Sequence, residues 1–358
     1  MLNLYFLWEQ KKLREVSDRF DNLRIPVTAS NRKSGNIPYY GANGIQDFVN
    51  GYTHDGEFLL IAEDGASDLR NYPVNYVNGK VWVNNHAHVI KGKKNSVNNK
   101  FLQYSLKIIN YETYVVGGSR AKLNSDILMN LPIKLPNTLE QEKIGTLFQK
   151  IDSLITLHQK KKEQQIALKQ YLLRTLIGEK SIFYSSNLPH TKVKLGDISD
   201  IKTGSSDQKD AVENGEFPFF VRSKNIEKSN RWLYDGEAIL IPGEGKLGDI
   251  YHYINGKFDY HQRVYKISDF KNNSVGKYIY YALQKDFKRH ALKYTVKATV
   301  DSLRLPTIQN FELVLPNIEI QNVVANQLTL VDNNISSIDN LISDLKSLKK
   351  YLLNKLFI

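Results

Sequence analysis

The chain has 358 residues, of which 41% are hydrophobic and 24% are charged, and its formal net charge is +12. This length exceeds one ordinary core and predicts two domains with additional structure, while the composition excludes a disordered chain. No apolar run approaches the roughly 18 residues that a membrane span needs, so a membrane protein is excluded as well. The absence of cysteine excludes disulfides, thiolate zinc sites and cysteine nucleophiles, and predicts a cytoplasmic protein.

The positive charge favours an anionic partner, and nucleic acid is the first candidate. Residues 1–180 contain 25 Lys and Arg against 17 Asp and Glu, and residues 181–358 contain 24 against 20. Because both halves are basic, the distribution of charge along the chain does not fit one globular domain with a basic tail.

The first predicted domain, residues 1–137, opens with an apolar segment, residues 1–8. This segment has no basic region before it and no cleavage site after it, so we predict a structural element and not a signal peptide. The dipeptide Asn78-Gly79 predicts a hairpin turn, and a helix is predicted over residues 99–109. Short apolar runs predict strands at residues 58–62, 81–83 and 87–90.

Residues 138–180 predict a long helix, because they contain no proline and few glycines and their apolar positions recur every three or four residues. Such a helix is about 60 Å long, and Asn137 is expected to cap its start. The apolar stripe consists of Ile144, Phe148, Ile151, Ile155, Leu168, Leu172 and Leu176. Polar residues interrupt it, which indicates either a bent or solvated seam or a patch for another subunit: His158, Lys161, Lys162 and Gln165.

The second half predicts the same order of elements. Residues 181–316 form a second domain with a predicted turn at Asn255-Gly256 and a helix over residues 276–293. Residues 317–358 predict a second long helix, capped by Asn317. Its apolar stripe consists of Val324, Leu328, Val331, Ile335, Ile338, Ile342, Leu345, Leu348 and Leu352.

An internal repeat explains this order. Leu135-Pro136-Asn137 matches Leu315-Pro316-Asn317, and Tyr171-Leu172-Leu173 matches Tyr351-Leu352-Leu353, both at an offset of 180 residues. We therefore predict an α+β protein with two tandem, pseudo-symmetric domains joined by two long antiparallel coiled-coil helices, shaped like a dumbbell. The residues expected in the helix seam are Ile151, Ile155, Leu172, Leu176, Val331, Ile338, Leu345 and Leu352.

Catalytic motifs are missing from the sequence. It contains no phosphate-binding loop, no methyl-transfer motif and no dinucleotide fingerprint. His86-Ala87-His88 lacks a third ligand at metal-site spacing, so a hydrogen-bonded or DNA-facing pair is the favoured interpretation. Glu63-Asp64 and Glu244 follow strands and are interpreted as turn residues or partners of nearby Arg and Lys, in preference to nuclease acids. The chain is predicted to bind and not to catalyse.

The repeat resembles the specificity subunits of type I restriction–modification systems. The similar segments are the domain starts, Trp8 with Lys12-Leu13-Arg14-Glu15-Val16 and Lys194-Leu195-Gly196-Asp197-Ile198, and the Leu-Pro-Asn…Gln helix starts, which end at Gln141 and Gln321. The chain is short for this family. The second helix start also lacks the Glu-Gln pair seen at Glu140-Gln141, which is expected to weaken contacts there.

The resemblance implies a non-catalytic subunit that reads a bipartite double-stranded DNA target, one half-site for each target-recognition domain. It implies that the helices dock two methyltransferase subunits and that restriction (motor-nuclease) subunits then join. No cofactor is expected in this chain. The partner methyltransferases would use S-adenosylmethionine, and the restriction subunits would use ATP and Mg.

Base-reading residues are expected in loops that combine Arg or Lys with amide and hydroxyl side chains. The candidates in the first domain are Asn43, Arg70, Asn85, His86, Ser119, Arg120 and Lys122. The candidates in the second are Arg222, Lys224, Asn225, Lys246, Gln262, Arg263, Lys297 and Thr299. The alternatives are a stand-alone sequence-specific DNA-binding protein and a coiled-coil scaffold without catalytic partners.

Overall fold

The computed structural model describes residues 8–117, 121–185, 189–245, 247–294 and 302–357. It divides into unit 1, Met1–Gln159 with Leu341–Ile358, and unit 2, Lys160–Asn340. In the described ranges, no helix combines the length and the apolar character that crossing a lipid bilayer requires. The predicted N-terminal structural element lies outside the described residues except for Trp8.

Unit 1 contains a set of short strands and short helices before the first long helix. Its strands are β1 (Glu9–Lys12), β2 (Ser17–Arg19), β3 (Ser34–Gly41), β4 (Gly44–Val49), β5 (His54–Ala62), β6 (Val74–Val83), β7 (Ala87–Gly92) and β8 (Pro132–Leu135). The helices up to this point of the chain are α1 (Leu13–Val16), α2 (Asn99–Lys107), α3 (Ser125–Met129) and α4 (Thr138–Leu176).

Unit 2 repeats this order of elements. Its strands are β9 (His190–Lys194), β10 (Asp200–Thr203), β11 (Phe217–Phe220), β12 (Ile226–Ser229), β13 (Tyr234–Pro242), β14 (His252–Tyr260), β15 (Val264–Ser268) and β16 (Glu312–Pro316). The remaining helices are α5 (Ile182–Ser185), α6 (Leu195–Ile198), α7 (Gly276–Tyr294), α8 (Leu305–Gln309) and α9 (Ile318–Leu356).

Each unit is built on a six-stranded sheet with the same strand order. The order is β2-β7-β5-β6-β3-β4 in unit 1 and β10-β15-β13-β14-β11-β12 in unit 2. Neighbouring strands are antiparallel except β3 with β6 and β11 with β14, which are parallel. A two-stranded sheet, β1-β8 or β9-β16, joins the two ends of each domain. The predicted pair of tandem α+β domains is confirmed.

The central strand of each sheet is buried on both faces. In unit 1, Leu59 and Ile61 pack in the core that contains α2, whereas Phe58 and Leu60 pack in a separate cluster on the opposite face. In unit 2, Ile239 belongs to the core that contains α7, while its neighbours lie on the other face. Successive side chains of a strand point to opposite faces, so an uninterrupted apolar run is what such a strand requires.

The predicted turns at Asn78-Gly79 and Asn255-Gly256 are wrong, because both pairs lie inside continuous strands. Gly79 in β6 pairs with Gly56 in β5, and Gly256 in β14 pairs with Gly236 in β13. All four glycines have positive φ, between 100° and 148°. Glycine adopts this conformation without steric cost. The strands therefore stay paired across the two glycines, and the chain does not turn there. The predicted strands and the helices that correspond to α2 and α7 are present.

The starts of the long helices are capped as predicted. The side-chain oxygen of Asn137 accepts a hydrogen bond from the backbone nitrogen of Glu140 at 2.9 Å, and that of Asn317 accepts one from Ile320 at 2.9 Å. An asparagine at this position satisfies an amide that the helix leaves without a partner. Each helix has 39 residues, which corresponds to about 58 Å.

A buried glutamine fastens each long helix to its domain. The side chain of Gln141 accepts from the backbone nitrogen of Asn98 and donates to the carbonyl of Pro136, both at 2.9 Å. Gln321 accepts from Val275 at 2.9 Å and donates to the carbonyl of Pro316 at 2.8 Å. Both glutamines are 1% exposed. The second helix start lacks the Glu-Gln pair but keeps all of these contacts, so the expected weakening is not seen.

The two long helices run antiparallel where they meet in each unit. In unit 2, Lys162 bonds Asp339 and Lys169 bonds Asp332, each at 2.6 Å, so residue numbers rise on α4 as they fall on α9. Unit 1 shows the same direction, because Asp152 pairs with Lys349 while Phe148 packs on Phe357. The predicted antiparallel pairing is confirmed.

The seam differs from the predicted stripes in detail. Leu168 and Leu348 are exposed at 41% and 46%, whereas Leu173, which the pattern omitted, is buried. The polar interruption at Lys162 is an ion pair between the helices. Among the residues expected in the seam, Leu172, Leu345 and Leu352 are partly buried, and the others are buried: Ile151, Ile155, Leu176, Val331 and Ile338.

Each unit also joins one domain helix to both long helices through a tyrosine, an aspartate and a lysine. In unit 1, Tyr104 of α2 donates to Asp152 of α4 at 2.7 Å, and Lys349 of α9 pairs with the same carboxylate. Burial and this hydrogen bond raise the pKa of Tyr104, so the phenol stays protonated and donates. Unit 2 repeats the arrangement with Tyr281, Asp332 and Lys169.

Candidate nucleic-acid interface

In both units, a short turn between two strands lies against the end of the central strand and is held there by the same backbone bonds. In unit 1, Glu63 after β5 donates to the carbonyl of His86 at 2.9 Å and accepts from Leu123 at 2.7 Å. In unit 2, Gly243 donates to the carbonyl of Arg263 at 2.8 Å and accepts from Leu303 at 2.7 Å. We call these regions tip 1, consisting of Glu63, Asp64, residues 84–86 and Lys122, and tip 2, consisting of Arg222, Gly243, Glu244 and residues 261–263.

Tip 1 carries two acids that hold cationic or titratable side chains. His86 bonds Asp64 through Nδ1 at 2.6 Å, and its side chain is 36% exposed. Glu63 pairs with Arg24 at 2.7 Å and with Lys122 at 3.1 Å. Burial acts to raise the pKa of Glu63, but the hydrogen bonds from these two cations outweigh it and hold that pKa below its ordinary value. Glu63 acts as a partner of Arg and Lys, one of the two roles predicted for these acids, whereas Asp64 pairs with His86.

The His86-Ala87-His88 motif separates into one surface and one core histidine. His88 is 1% exposed, and its ring bonds Asp21 and the carbonyl of Leu123, each at 2.9 Å. Within the described ranges, no group of three or more His, Asp or Glu residues has the arrangement of a metal site. The hydrogen-bonded interpretation is confirmed for both rings.

The other candidates of the first domain lie at different places. Asn85 is exposed in the turn of tip 1. Asn43 lies beside this tip, since its side chain donates to the carbonyl of Gly65 at 2.9 Å and accepts from Ser67 at 2.8 Å. Arg70 is 89% exposed and lies near Glu112, at 3.5 Å. Ser119 and Arg120 lie outside the described residues.

Tip 2 contains two arginines on one carboxylate. Glu244 bonds Arg222 at 3.1 Å through one oxygen and pairs with Arg263 through the other. The side chains of Arg222 and Arg263 are 47% and 54% exposed, whereas Glu244 is 22% exposed. Glu244 again acts as a partner of basic residues, and its carboxylate holds two half-exposed guanidinium groups next to each other.

The surroundings of tip 2 combine further candidates with a cavity. Gln262 is 3.4 Å from Asp207, and Lys224 and Asn225 are exposed between β11 and β12. A cavity of about 400 Å³ lies beside Glu244 and is lined by Gln208, Val221, Arg222, Ser223, Glu227, Glu244 and Gly245. Three second-domain candidates lie outside the described residues: Lys246, Lys297 and Thr299.

Contacts between distant parts of the chain decide which residues form these tips. Arg24 and Gln208 were not among the sequence candidates, although Arg24 holds Glu63 and Gln208 lines the cavity. Their sequence separations from the tips follow no local periodicity, so only a three-dimensional arrangement identifies them. The resulting surfaces present half-exposed donors held by carboxylates, which is suitable for contacts with base edges and phosphates.

Exposed apolar side chains also recur on each of the long helices. Leu147, Leu154 and Leu168 of α4 are 39–43% exposed and are separated by multiples of seven residues. On α9, Leu341 and Leu348 have the same spacing and are 40% and 46% exposed. A spacing of seven places side chains along one edge of a helix. We call this set, with the neighbouring Leu157, Tyr171, Val323, Leu330 and Tyr351, the outer stripe.

Comparison with known proteins relates these features to one family. The family model described as the type I restriction modification DNA specificity domain matches residues 7–168 and again residues 188–347. A type I restriction enzyme specificity subunit of Haemophilus influenzae is 47% identical over 146 residues, which are 41% of this chain and 38% of that protein. A type I specificity subunit of Mycoplasma pneumoniae is 22% identical over 88% of this chain and 87% of its own length.

A solved structure has the same fold. The crystal structure of a type I restriction–modification S subunit from M. genitalium matches with a TM-score of 0.82 at 16% identity, covering 100% of this chain and 98% of that one. Both of these relatives are named as type I specificity subunits. The family model covers most of both repeats, and this chain therefore belongs to the type I restriction–modification DNA specificity family.

Proposed function

We propose that this chain reads a bipartite double-stranded DNA target, with one half-site for each unit. The supporting observation is a difference between two parts of the repeat. Where each long helix meets its domain, both units keep the buried glutamine, Gln141 or Gln321, and the Tyr-Asp-Lys contact. The tips keep the same backbone bonds but exchange His86 for Arg263 and Asp64 for Glu244. A constant frame with different exposed donors is suited to reading two different sequences.

In this function, lysines and arginines around the tips bind phosphates and supply affinity, while the turn residues contact base edges. Lys122 and Lys224 are suited to phosphates, because a lysine is a single point charge. Asn85, His86, Gln262 and Arg263 are suited to bases, because they lie in the exposed turns. The other candidate residues are likewise proposed to contact bases or phosphates.

Selection from a pool of random DNA duplexes tests the proposal. The full-length chain, alone and with the methyltransferase subunit of the same system, is expected to enrich a two-part motif with an unread gap. Overall affinity is expected to fall steeply with salt, because phosphate contacts release counterions. Retention of duplexes without any enriched sequence would count against sequence reading, and the absence of salt-dependent binding would count against a DNA role.

We also propose that the outer stripe docks helices of methyltransferase subunits, which restriction subunits then join. A seven-residue apolar spacing fits a helical partner. This chain supplies no catalytic group in the proposed complex, which acts on DNA in the cytoplasm. The methyltransferase subunits would use S-adenosylmethionine, and the restriction subunits would use ATP and Mg.

Charge on the outer stripe is expected to abolish docking without unfolding the chain. Replacing Leu154→Glu together with Leu157→Glu changes residues that are 43% and 60% exposed. Each change is expected to alter the free energy of unfolding by no more than about 0.5 kcal/mol, because exposed positions tolerate substitution. Co-purification of the methyltransferase subunit is expected to fall at least roughly tenfold, since a partner helix would bury the new charges.

The matched control is Ser153→Glu with Thr156→Glu, which adds the same charges at neighbouring exposed positions of α4 outside the stripe. This variant is expected to assemble normally. Equal loss of assembly in both variants would indicate a general effect of charge, and normal assembly of the stripe variant would place the docking surface elsewhere.

A further inference from the structure

The two arginines of tip 2 use only part of their hydrogen-bonding capacity within the protein. Glu244 engages Nη1 of Arg222 and Nη1 of Arg263. Within the described part of the chain, Nε and Nη2 of both groups have no protein acceptor. Each guanidinium therefore keeps donors for a ligand, and both side chains are about half exposed.

The arrangement carries more positive than negative charge. One carboxylate faces two guanidinium groups, so the cluster retains one positive charge. A guanidinium is a rigid planar fork whose paired donors match two acceptors in one plane. In the major groove, guanine presents such a pair, O6 and N7, and a bidentate contact from arginine to it is the commonest specific contact.

We propose that Arg263, held by Glu244, is a specificity-determining residue that reads a guanine in the half-site of unit 2. This inference rests on the proposed DNA-reading function and names the base that one side chain recognises. Arg263 lies in the turn that occupies the same backbone frame as the turn of tip 1. Arg222 shares the carboxylate and supplies the second positive charge of the cluster.

Glu244 acts as a positioning residue for this contact. A long arginine side chain has considerable rotamer freedom and otherwise binds any nearby phosphate. The less exposed carboxylate restricts the guanidinium and repels phosphate oxygens, which favours a neutral base edge over the backbone. Ordering the side chain before DNA arrives also lowers the entropic cost of binding.

Tip 1 presents different chemistry at the equivalent position. Asp64 engages Nδ1 of His86, so one ring nitrogen, Nε2, remains for a ligand. A single nitrogen cannot form the two parallel bonds that a guanidinium forms with guanine. At this position of the repeat, unit 2 can therefore make the fork-type guanine contact and His86 of unit 1 cannot, and the two half-sites are expected to differ there.

The test compares variants of the full-length chain in selection from random duplexes at two salt concentrations. The wild-type chain is expected to enrich a motif with guanine at one position of one half-site. Arg263→Gln is expected to reduce the preference for guanine there by about 10- to 100-fold, leaving the other positions unchanged. Arg263→Lys keeps the charge but not the fork, and the same loss of preference is expected. Arg289→Gln removes one charge from a 78% exposed arginine of α7 and is expected to change no base preference.

Glu244→Gln tests the positioning role separately. This substitution removes the negative charge that positions Arg263, so the preference for guanine is expected to fall. The slope of log affinity against log salt is expected to become steeper, by the amount that about one additional phosphate contact gives. A carboxylate that only stabilised the fold would change the melting temperature and leave the salt slope unaltered.

Two outcomes would overturn the inference, and they are distinguishable. If the Arg263 variants weaken binding to all duplexes by one factor and leave every base preference intact, Arg263 binds phosphate, and the proposed function still holds. If the wild-type chain enriches no motif, the proposed function fails and this inference fails with it.

Discussion

Replacing Phe148→Ala is expected to lower the free energy of unfolding of unit 1 by about 3–5 kcal/mol, the range for truncating a buried aromatic side chain. Phe148 of α4 is fully buried, and its ring packs on Tyr104 of α2 at 4.9 Å and on Phe357 at 5.9 Å. The cavity would lie where α2 packs against the start of α4 and the end of α9. Urea unfolding of the full-length chain, followed by far-UV circular dichroism and tyrosine fluorescence, measures the loss.

The repeat supplies the control for this substitution. The residue equivalent to Phe148 is Leu328, which is also fully buried. Phe148→Leu therefore installs the side chain that the second unit uses and is expected to cost less than about 1.5 kcal/mol. Similar losses for both variants would mean that ring stacking, and not filled volume, stabilises this junction.

Replacing Gln321→Leu is expected to destabilise unit 2 by about 2–4 kcal/mol, because it leaves buried backbone groups without partners. Those groups are the nitrogen of Val275 and the carbonyls of Asn273 and Pro316, which bond the glutamine at 2.8–3.0 Å. Leucine is close to glutamine in size, so the loss reflects hydrogen bonding more than packing. Hydrogen exchange at the start of α7 and the urea midpoint measure the effect.

Asn322→Ala is the matched control, one residue further along α9 at an exposed position. Its expected effect is within about 0.5 kcal/mol, because it removes no buried contact. If Gln321→Leu proves as mild as this control, the glutamine does not hold the helix to the domain, and the junction depends on apolar packing alone.

Several features followed from the sequence by itself. The tandem duplication, the two α+β domains and the two long helices with caps at Asn137 and Asn317 were predicted. Helix periodicity and capping are local properties, so they are readable without knowledge of the fold. The acids after the central strands were interpreted as turn residues or partners of nearby Arg and Lys, and Glu63 and Glu244 do pair with such residues.

The errors arose where local signals competed with long-range pairing. Asn78-Gly79 is a strong turn signal, but the ladder between β5 and β6 extends across it because Gly56 lies opposite. Leu168 matched the helical stripe, yet it is exposed, since the position at which a helix faces its partner depends on the register between two distant segments.

The duplicated sequence by itself determined the order of domains and helices, because repeated local patterns specify repeated elements. Only the tertiary structure decided which residues meet at each tip. Arg24 and Glu63 are separated by 39 residues, and Arg222 and Glu244 by 22. Sheet pairing brings them together, and no periodicity along the chain encodes that contact, because side-chain proximity across strands depends on strand order and register.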